Sequence, residues 1–128
     1  MRAYIRMKFK QITINKCKRL IELNKEGITI NQNGEIVNKE YGYYVSITNN
    51  TFNELNTLDI YRLLIKANKN EIENYIKTFI GGWYSVNTKK WYIDLSYWVK
   101  NKDTALSIAK NHNQEGIFNI KSLETIFI

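Results

Sequence analysis

The stretch 81-GGWYSVNTKKWYIDLSYWV-99 decides the fold, because its second half alternates with a period of two over nine residues. In an extended strand, side chains alternate between faces, so Trp91, Ile93, Leu95, Tyr97 and Val99 fall on one side. Tyr92, Asp94, Ser96 and Trp98 fall on the other. The first row is continuously apolar and predicts a core face. The second mixes two aromatics with an acid and a hydroxyl, which suits a partly solvated face or a contact surface. On the preceding arm Trp83 and Tyr84 point opposite ways, and a turn around Asn87 to Lys90 closes an antiparallel hairpin. Gly81 and Gly82 predict a bend or tight packing at the start of the first arm.

The flanks repeat the pattern of hairpins and helices. Residues 3–9 alternate partly and predict a strand. Residues 13–27 read as a helix capped by Thr13 or Asn15, with Cys17, Leu20, Ile21 and Leu23 as its apolar stripe and Gly27 as its stop. The run 28-ITINQNGEIV-37 predicts a hairpin, with Asn33-Gly34 in a type I′ turn. A strand follows over 41–48, and 49-NNTFNELNT-57 reads as loop. Residues 58–76 have helical spacing, with Leu58, Tyr61, Leu64, Ile65 and Asn68 on one face and Ile72 and Ile76 beyond. A short helix over 101–116, capped by Asn101 or Asp103, places Ala105, Ile108, Ala109 and His112 inward. A terminal hairpin turns near Lys121 to Glu124.

The order β-α-ββ-α-ββ-α-ββ predicts a single α+β domain over 1–128, with a mainly antiparallel sheet and about three helices on one face. A faint internal echo joins 43-YYVSIT-48 to 91-WYIDLS-96, each followed by a helix.

Charge is the strongest compositional signal. The chain carries +7, and residues 1–25 hold eight Lys and Arg against Glu22 alone, which accounts for all of it. That pole, with Arg2, Arg6, Lys8, Lys10, Lys16, Lys18 and Arg19, suits a phosphate backbone or an acidic protein surface, and equally suits plain solubility. No stretch approaches the roughly 20 apolar residues of a membrane span, and the basic start lacks the apolar core of a secretory signal. A cytoplasmic protein without membrane attachment is the expectation.

Catalytic chemistry finds little support. The one Cys and one His, Cys17 and His112, lie far apart in sequence, and Cys17 falls on an apolar stripe as a small buried hydrophobe. No metal-ligand spacing, calcium loop or phosphate-binding loop is present, so no catalytic residue, metal or cofactor is expected. Asp94, between Ile93 and Leu95, is the most unusual acid in the chain.

Residues 81–120 resemble a module of small accessory proteins of phages, plasmids and integrative elements of Gram-positive bacteria. The pattern lies at Gly81, Gly82 and Trp83, then Trp91 to Ser96, then Ala105 and Leu106, then Asn113 and Gln114. The run 35-EIVNKEYGYYVSI-47 resembles the middle of such proteins, and the many Asn, Lys and Ile residues fit an AT-rich genome. The resemblance implies a non-enzymatic inhibitor of a bacterial defence system, anti-CRISPR-like in size, that binds a Cas effector nuclease. The basic segment would supply attraction, and Tyr84, Tyr92, Asp94 and Trp98 the shape-specific contacts. The alternatives are an accessory protein gripping RNA or DNA through the same basic segment and exposed aromatics, and a homodimer formed through the aromatic face.

Overall fold

The computed structural model describes residues 9–128, and the strand expected over 3–9 lies almost wholly outside them. The described residues form an α+β domain in which three helices cover one face of a six-stranded sheet. The helices are α1 (Gln11–Leu23), α2 (Thr57–Asn74) and α3 (Lys102–Asn111). The strands are β1 (Ile28–Ile30), β2 (Tyr43–Phe52), β3 (Thr78–Ser85), β4 (Lys90–Val99), β5 (Gly116–Asn119) and β6 (Glu124–Phe127). They lie in the order β1-β3-β4-β2-β5-β6, and every neighbouring pair is antiparallel.

The expected apolar row of β4 is buried from Trp91 to Val99. It faces Ile80 on β3, Val45 on β2, and the helical residues Ile14, Cys17, Ile21, Ile60, Leu63, Leu64, Ala67, Ala105 and Ala109. α1 packs on α2 and β1, α2 on β3, and α3 on β2, β4 and β5. Small residues at 105 and 109 let α3 come close to the sheet, and the Asn101 side chain caps it by accepting from Thr104 N–H at 3.1 Å.

Several local expectations are corrected. α1 starts at Gln11, after Lys10 at the N-cap, so neither Thr13 nor Asn15 caps it, and it ends at Leu23, before Gly27. Leu23 is exposed and Ile14 takes its place in the buried stripe, at the i, i+3, i+7 spacing with Cys17 and Ile21. The turn after β1 begins at Asn31, whose Oδ1 accepts from the backbone of Asn33 and Glu35, both at 3.0 Å. Of the Asn33-Gly34 pair only Gly34 has positive φ, so the turn is not type I′, and the returning arm shrinks to a bridge at Ile36.

β2 runs on through Asn49–Phe52, which read as loop, because β4 offers it partners as far as Trp91. A bulge between Ser46 and Thr48 exchanges the faces, so Tyr43 and Val45 share the helical side with Thr48, Asn50 and Phe52.

α2 is turned away from the expected face, leaving Leu58 and Ile72 exposed. Polar tethers fix that rotation. Asn70 Nδ2 donates to Tyr97 Oη (2.6 Å) and Thr78 Oγ1 (3.1 Å), and Glu71 Oε1 accepts from Thr78 N–H (3.0 Å). Residues 60, 63, 64, 67, 70 and 71 therefore form the inward face, and its two polar members mask the apolar period. α3 ends at Asn111, with Asn113 in the left-handed region, so His112 is an exposed C-cap rather than an inward residue.

Candidate functional site on the uncovered sheet face

All three described helices pack on one side, and the opposite face of the sheet holds the side chains that alternate outward: Thr29, Phe79, Gly81, Trp83, Tyr92, Asp94, Ser96, Trp98, Tyr44, Ser46, Asn49, Thr51, Phe118, Thr125 and Phe127. Much of it is a trough of about 1080 Å³. The segment 37–42 links β1, at one edge, to β2, on the far side of β3 and β4. Val37 N–H donates to Thr29 O (2.9 Å), Trp98 Nε1 to Tyr41 O (2.7 Å), and Ile120 N–H to Gly42 O (3.0 Å). Phe79 lies on this face and is buried outside the helical core.

Asp94 occupies the floor. Its Oδ2 accepts from Ser46 Oγ, and its Oδ1 lies against the Cα of Gly81, directly across the strand pair. A Cβ at residue 81 would collide with that oxygen. The residue keeps some accessible surface, yet its carboxyl group is enclosed. Desolvation raises its pKa above the ordinary carboxylate value, against the lowering effect of the Ser46 hydroxyl and the backbone N–H groups of Asp94 and Gly81. The Tyr44 hydroxyl, also on this trough, is buried with no hydrogen-bond partner among the described residues, and burial raises its pKa. The Thr29 hydroxyl and the Lys39 backbone flank it without reaching hydrogen-bond geometry.

Beside the Gly81–Asp94 row, Trp83 and Tyr92 stack with ring centroids 4.8 Å apart and planes at 15°. Trp83 is 47% exposed. Tyr92 Oη donates to Thr88 Oγ1 at 3.1 Å, which holds its ring along the hairpin. The described residues lining the trough include the acids Glu26, Asp94 and Glu115 and no Lys or Arg.

The expected site residues fall into separate places. Arg2, Arg6 and Lys8 lie outside the described residues. Lys10, Lys16 and Arg19 are exposed at or near α1, and Lys18 is paired with Glu22 at 3.0 Å. α1 lies on the helical side, so this basic surface and the trough are on opposite sides of the sheet. Tyr84 also belongs to the helical side. It packs against Trp91 at 5.0 Å with Lys25 Nζ 5.4 Å from its ring, so it shares no face with Tyr92. Trp98 shares the face of Tyr92 and Asp94, but its ring is occupied. Tyr41 meets it edge-on at 5.4 Å, Lys39 Nζ sits 4.7 Å above it, and a Cβ at Gly42 (φ +90°) would approach Nε1 to 2.6 Å. Tyr92 and Asp94 remain together in the trough.

Trp83, Gly81, Ser46 and Tyr44 join them without having been singled out for contact. The signal for Trp83 was present: a loop of four residues, 86–89, exchanges parity between the arms of a hairpin, so odd residues of the first arm share a face with even residues of the second.

Cys17 is fully buried, and burial pushes its thiol pKa up to about 11, which keeps it protonated. Among the described residues no group of three His, Cys, Asp or Glu side chains is placed to hold a metal ion. No described helix is long and apolar enough to cross a membrane. No family model matches the chain, and neither a curated protein nor a solved structure matches it.

Proposed function

We propose that this chain is a non-enzymatic binding protein of the mobile-element accessory type, which inhibits a bacterial defence system by occupying a surface of it, a CRISPR-Cas effector nuclease being the leading target. It would act in the cytoplasm of the bacterial host. The observation that carries this reading is the sheet face that no described helix covers, on which a stacked Trp83–Tyr92 pair and an enclosed carboxylate are held ready in a concave surface. Large aromatics on a rigid strand bring contact area at low entropic cost, and interfaces concentrate their binding energy on such residues. The acidic trough and the exposed cations near α1 offer two chemically opposed surfaces, which suits a partner assembled from both protein and nucleic acid.

The test is capture of partners from a CRISPR-bearing Gram-positive lysate by tagged protein, with nuclease treatment and mass spectrometry. The reading expects a Cas effector retained after nuclease treatment and lost with Trp83→Ala. Retention that is indifferent to Trp83→Ala removes the sheet face from the interface, and absence of any defence protein removes the function.

A second reading, an accessory protein that binds RNA or DNA, is favoured by the exposed Lys10, Lys16 and Arg19. It expects affinity for naked nucleic acid that falls steeply with salt. In that case the basic surface works alone, since a trough lined by carboxylates repels phosphates.

A further inference from the structure

The double glycine of β3 serves two faces at once. Gly82 points to the core, where a Cβ would meet Ile93 Cδ1 at 2.9 Å and Ile21 Cγ2 at 3.0 Å, so its bare backbone lets α1 settle on the sheet. Gly81 points to the trough, and there the missing side chain makes room for the Asp94 carboxyl, whose Oδ1 takes the space a Cβ would fill. That carboxyl forms the floor beside the aromatic row. The next row along the same two strands, about 7 Å away by strand geometry, is the stacked Trp83–Tyr92 pair.

The charged side chains described in this region share one sign. Asp94, Glu26 and Glu115 are acceptors when ionised, and the Tyr44 hydroxyl is buried without a partner among the described residues. Among the described residues Asp94 has one side-chain hydrogen bond, from Ser46, with the backbone N–H groups of Asp94 and Gly81 beside it and no opposite charge in the lining. An enclosed carboxylate is costly unless something donates to it or carries the opposite charge. An aromatic wall beside such a group favours a planar cation, because a guanidinium stacks on an indole or phenol face while its N–H groups fork onto a carboxylate. A compact, strongly hydrated ammonium gains less from the wall, and an anion is excluded by the charge.

We propose that the part of the trough lined by Asp94, Trp83 and Tyr92 receives the guanidinium of an arginine carried by the protein partner. This rests on the open face being the partner-binding surface, and it names the chemistry that the partner must bring. The carboxylate of Asp94 then gains the opposite charge that the described lining lacks, and the stacked pair covers one face of the cation. The excess positive charge of the chain opposes a basic partner at long range, so the contact relies on the short-range field of the trough and is expected to select one arginine rather than a polybasic tract.

The test titrates ¹⁵N-labelled protein with a blocked Gly-Arg-Gly peptide, and in parallel with its citrulline counterpart, which keeps the shape and loses the charge. Saturable shifts are expected at the amides of Gly81, Tyr92 and Asp94 and at the Trp83 indole with arginine. Citrulline, or arginine against Asp94→Asn, is expected to bind about tenfold more weakly or worse. No saturable shift in the trough, or equal shifts with citrulline, overturns the assignment. The citrulline arm uses the unaltered protein and decides the matter even where Asp94→Asn disturbs folding. Partner capture that depends on Trp83, together with no response to the arginine peptide, removes the guanidinium and leaves the binding function standing. The reverse result removes the function and leaves the site.

Discussion

Gly81→Ala puts the geometry of the trough floor at risk in a way that reverses sign with a second substitution. Gly81 is absent from the positive-φ residues and lies in regular β3–β4 pairing, so alanine suits its backbone. On that ground alone the change stabilises by about 0.4–1 kcal/mol, because it narrows the unfolded ensemble. Space works against it. The new Cβ would collide with Asp94 Oδ1, while the next atoms of that side chain, Cγ at 3.5 Å and Oδ2 at 3.9 Å, are at ordinary contact distance. Asp94 is short, enclosed and held by Ser46, so it yields only by leaving its hydrogen bond or shifting the strand. Overpacking of this kind costs about 1–3 kcal/mol, which leaves a net loss of about 1–2 kcal/mol. For a chain of this size that lowers Tm by about 3–5 °C per kcal/mol. In an Asp94→Ala background the colliding oxygen is gone, and the same glycine replacement is expected to be neutral or stabilising. Urea unfolding of the four proteins, followed by tryptophan fluorescence and circular dichroism, gives the coupling directly, with an expected value of about 1.5–3 kcal/mol. Equal costs of Gly81→Ala in both backgrounds, within about 0.5 kcal/mol, would refute the claim that residue 81 is glycine to seat this carboxyl group.

Gly82→Ala meets Ile93 and Ile21 instead, so it is expected to cost about 1–3 kcal/mol by urea unfolding, unchanged by Asp94→Ala; rescue by Asp94→Ala would mean that the two glycines do not serve separate faces. Asp94→Asn tests the burial of the charge. With its folded pKa raised, Asp94 holds its proton in the folded state over a range where the unfolded chain, at about 3.9, has released it. Wild-type stability therefore falls as pH rises through that window and stays reduced above it. The variant, which keeps an acceptor for Ser46, should melt higher than wild type at pH 7, with the gap closing toward about pH 4; a gap that is constant over this range counts against an enclosed carboxylate. Cys17, buried on α1 with its pKa near 11, should react with a thiol reagent such as a disulfide dye only at the rate of unfolding, and fast labelling at pH 7 in native buffer contradicts that placement.

Much of the fold was legible because its signals are local. The row from Trp91 to Val99 needs only the period of two, Asn101 needs only its position before a helical run, and the terminal hairpin needs only its turn. The losses came where a distant partner overrode the local pattern. Asn49–Phe52 look like loop until β4 is laid beside them, and α2 shows its inward face only once Thr78 and Tyr97 stand opposite Asn70 and Glu71. The site was half legible for the same reason. Tyr92 and Asp94 follow from alternation within one strand, Trp83 needs the register across the hairpin, and Ser46 and Tyr44 come from a strand some fifty residues away, placed by its pairing with Ser96 and Trp98. Trp98 was a fair inference from its face, but no pattern in the sequence announces that Tyr41, Gly42 and Lys39 will close over it.

Charge carries the same lesson to function. Counted along the chain, +7 concentrated in the first 25 residues suggests one basic protein with one kind of partner. Folding separates what composition merges. The described cations of that segment stay with the helical layer, whereas the sheet's open face is lined by carboxylates and aromatics that net charge hides completely. A partner that satisfied only the basic surface would leave Asp94 enclosed and the Trp83–Tyr92 pair wet, so neither the desolvation of the carboxylate nor the exposure of the stacked pair would be relieved. A partner that engages the trough relieves both. The trough, rather than the more conspicuous basic pole, is therefore the surface whose composition has the fewest explanations in folding alone.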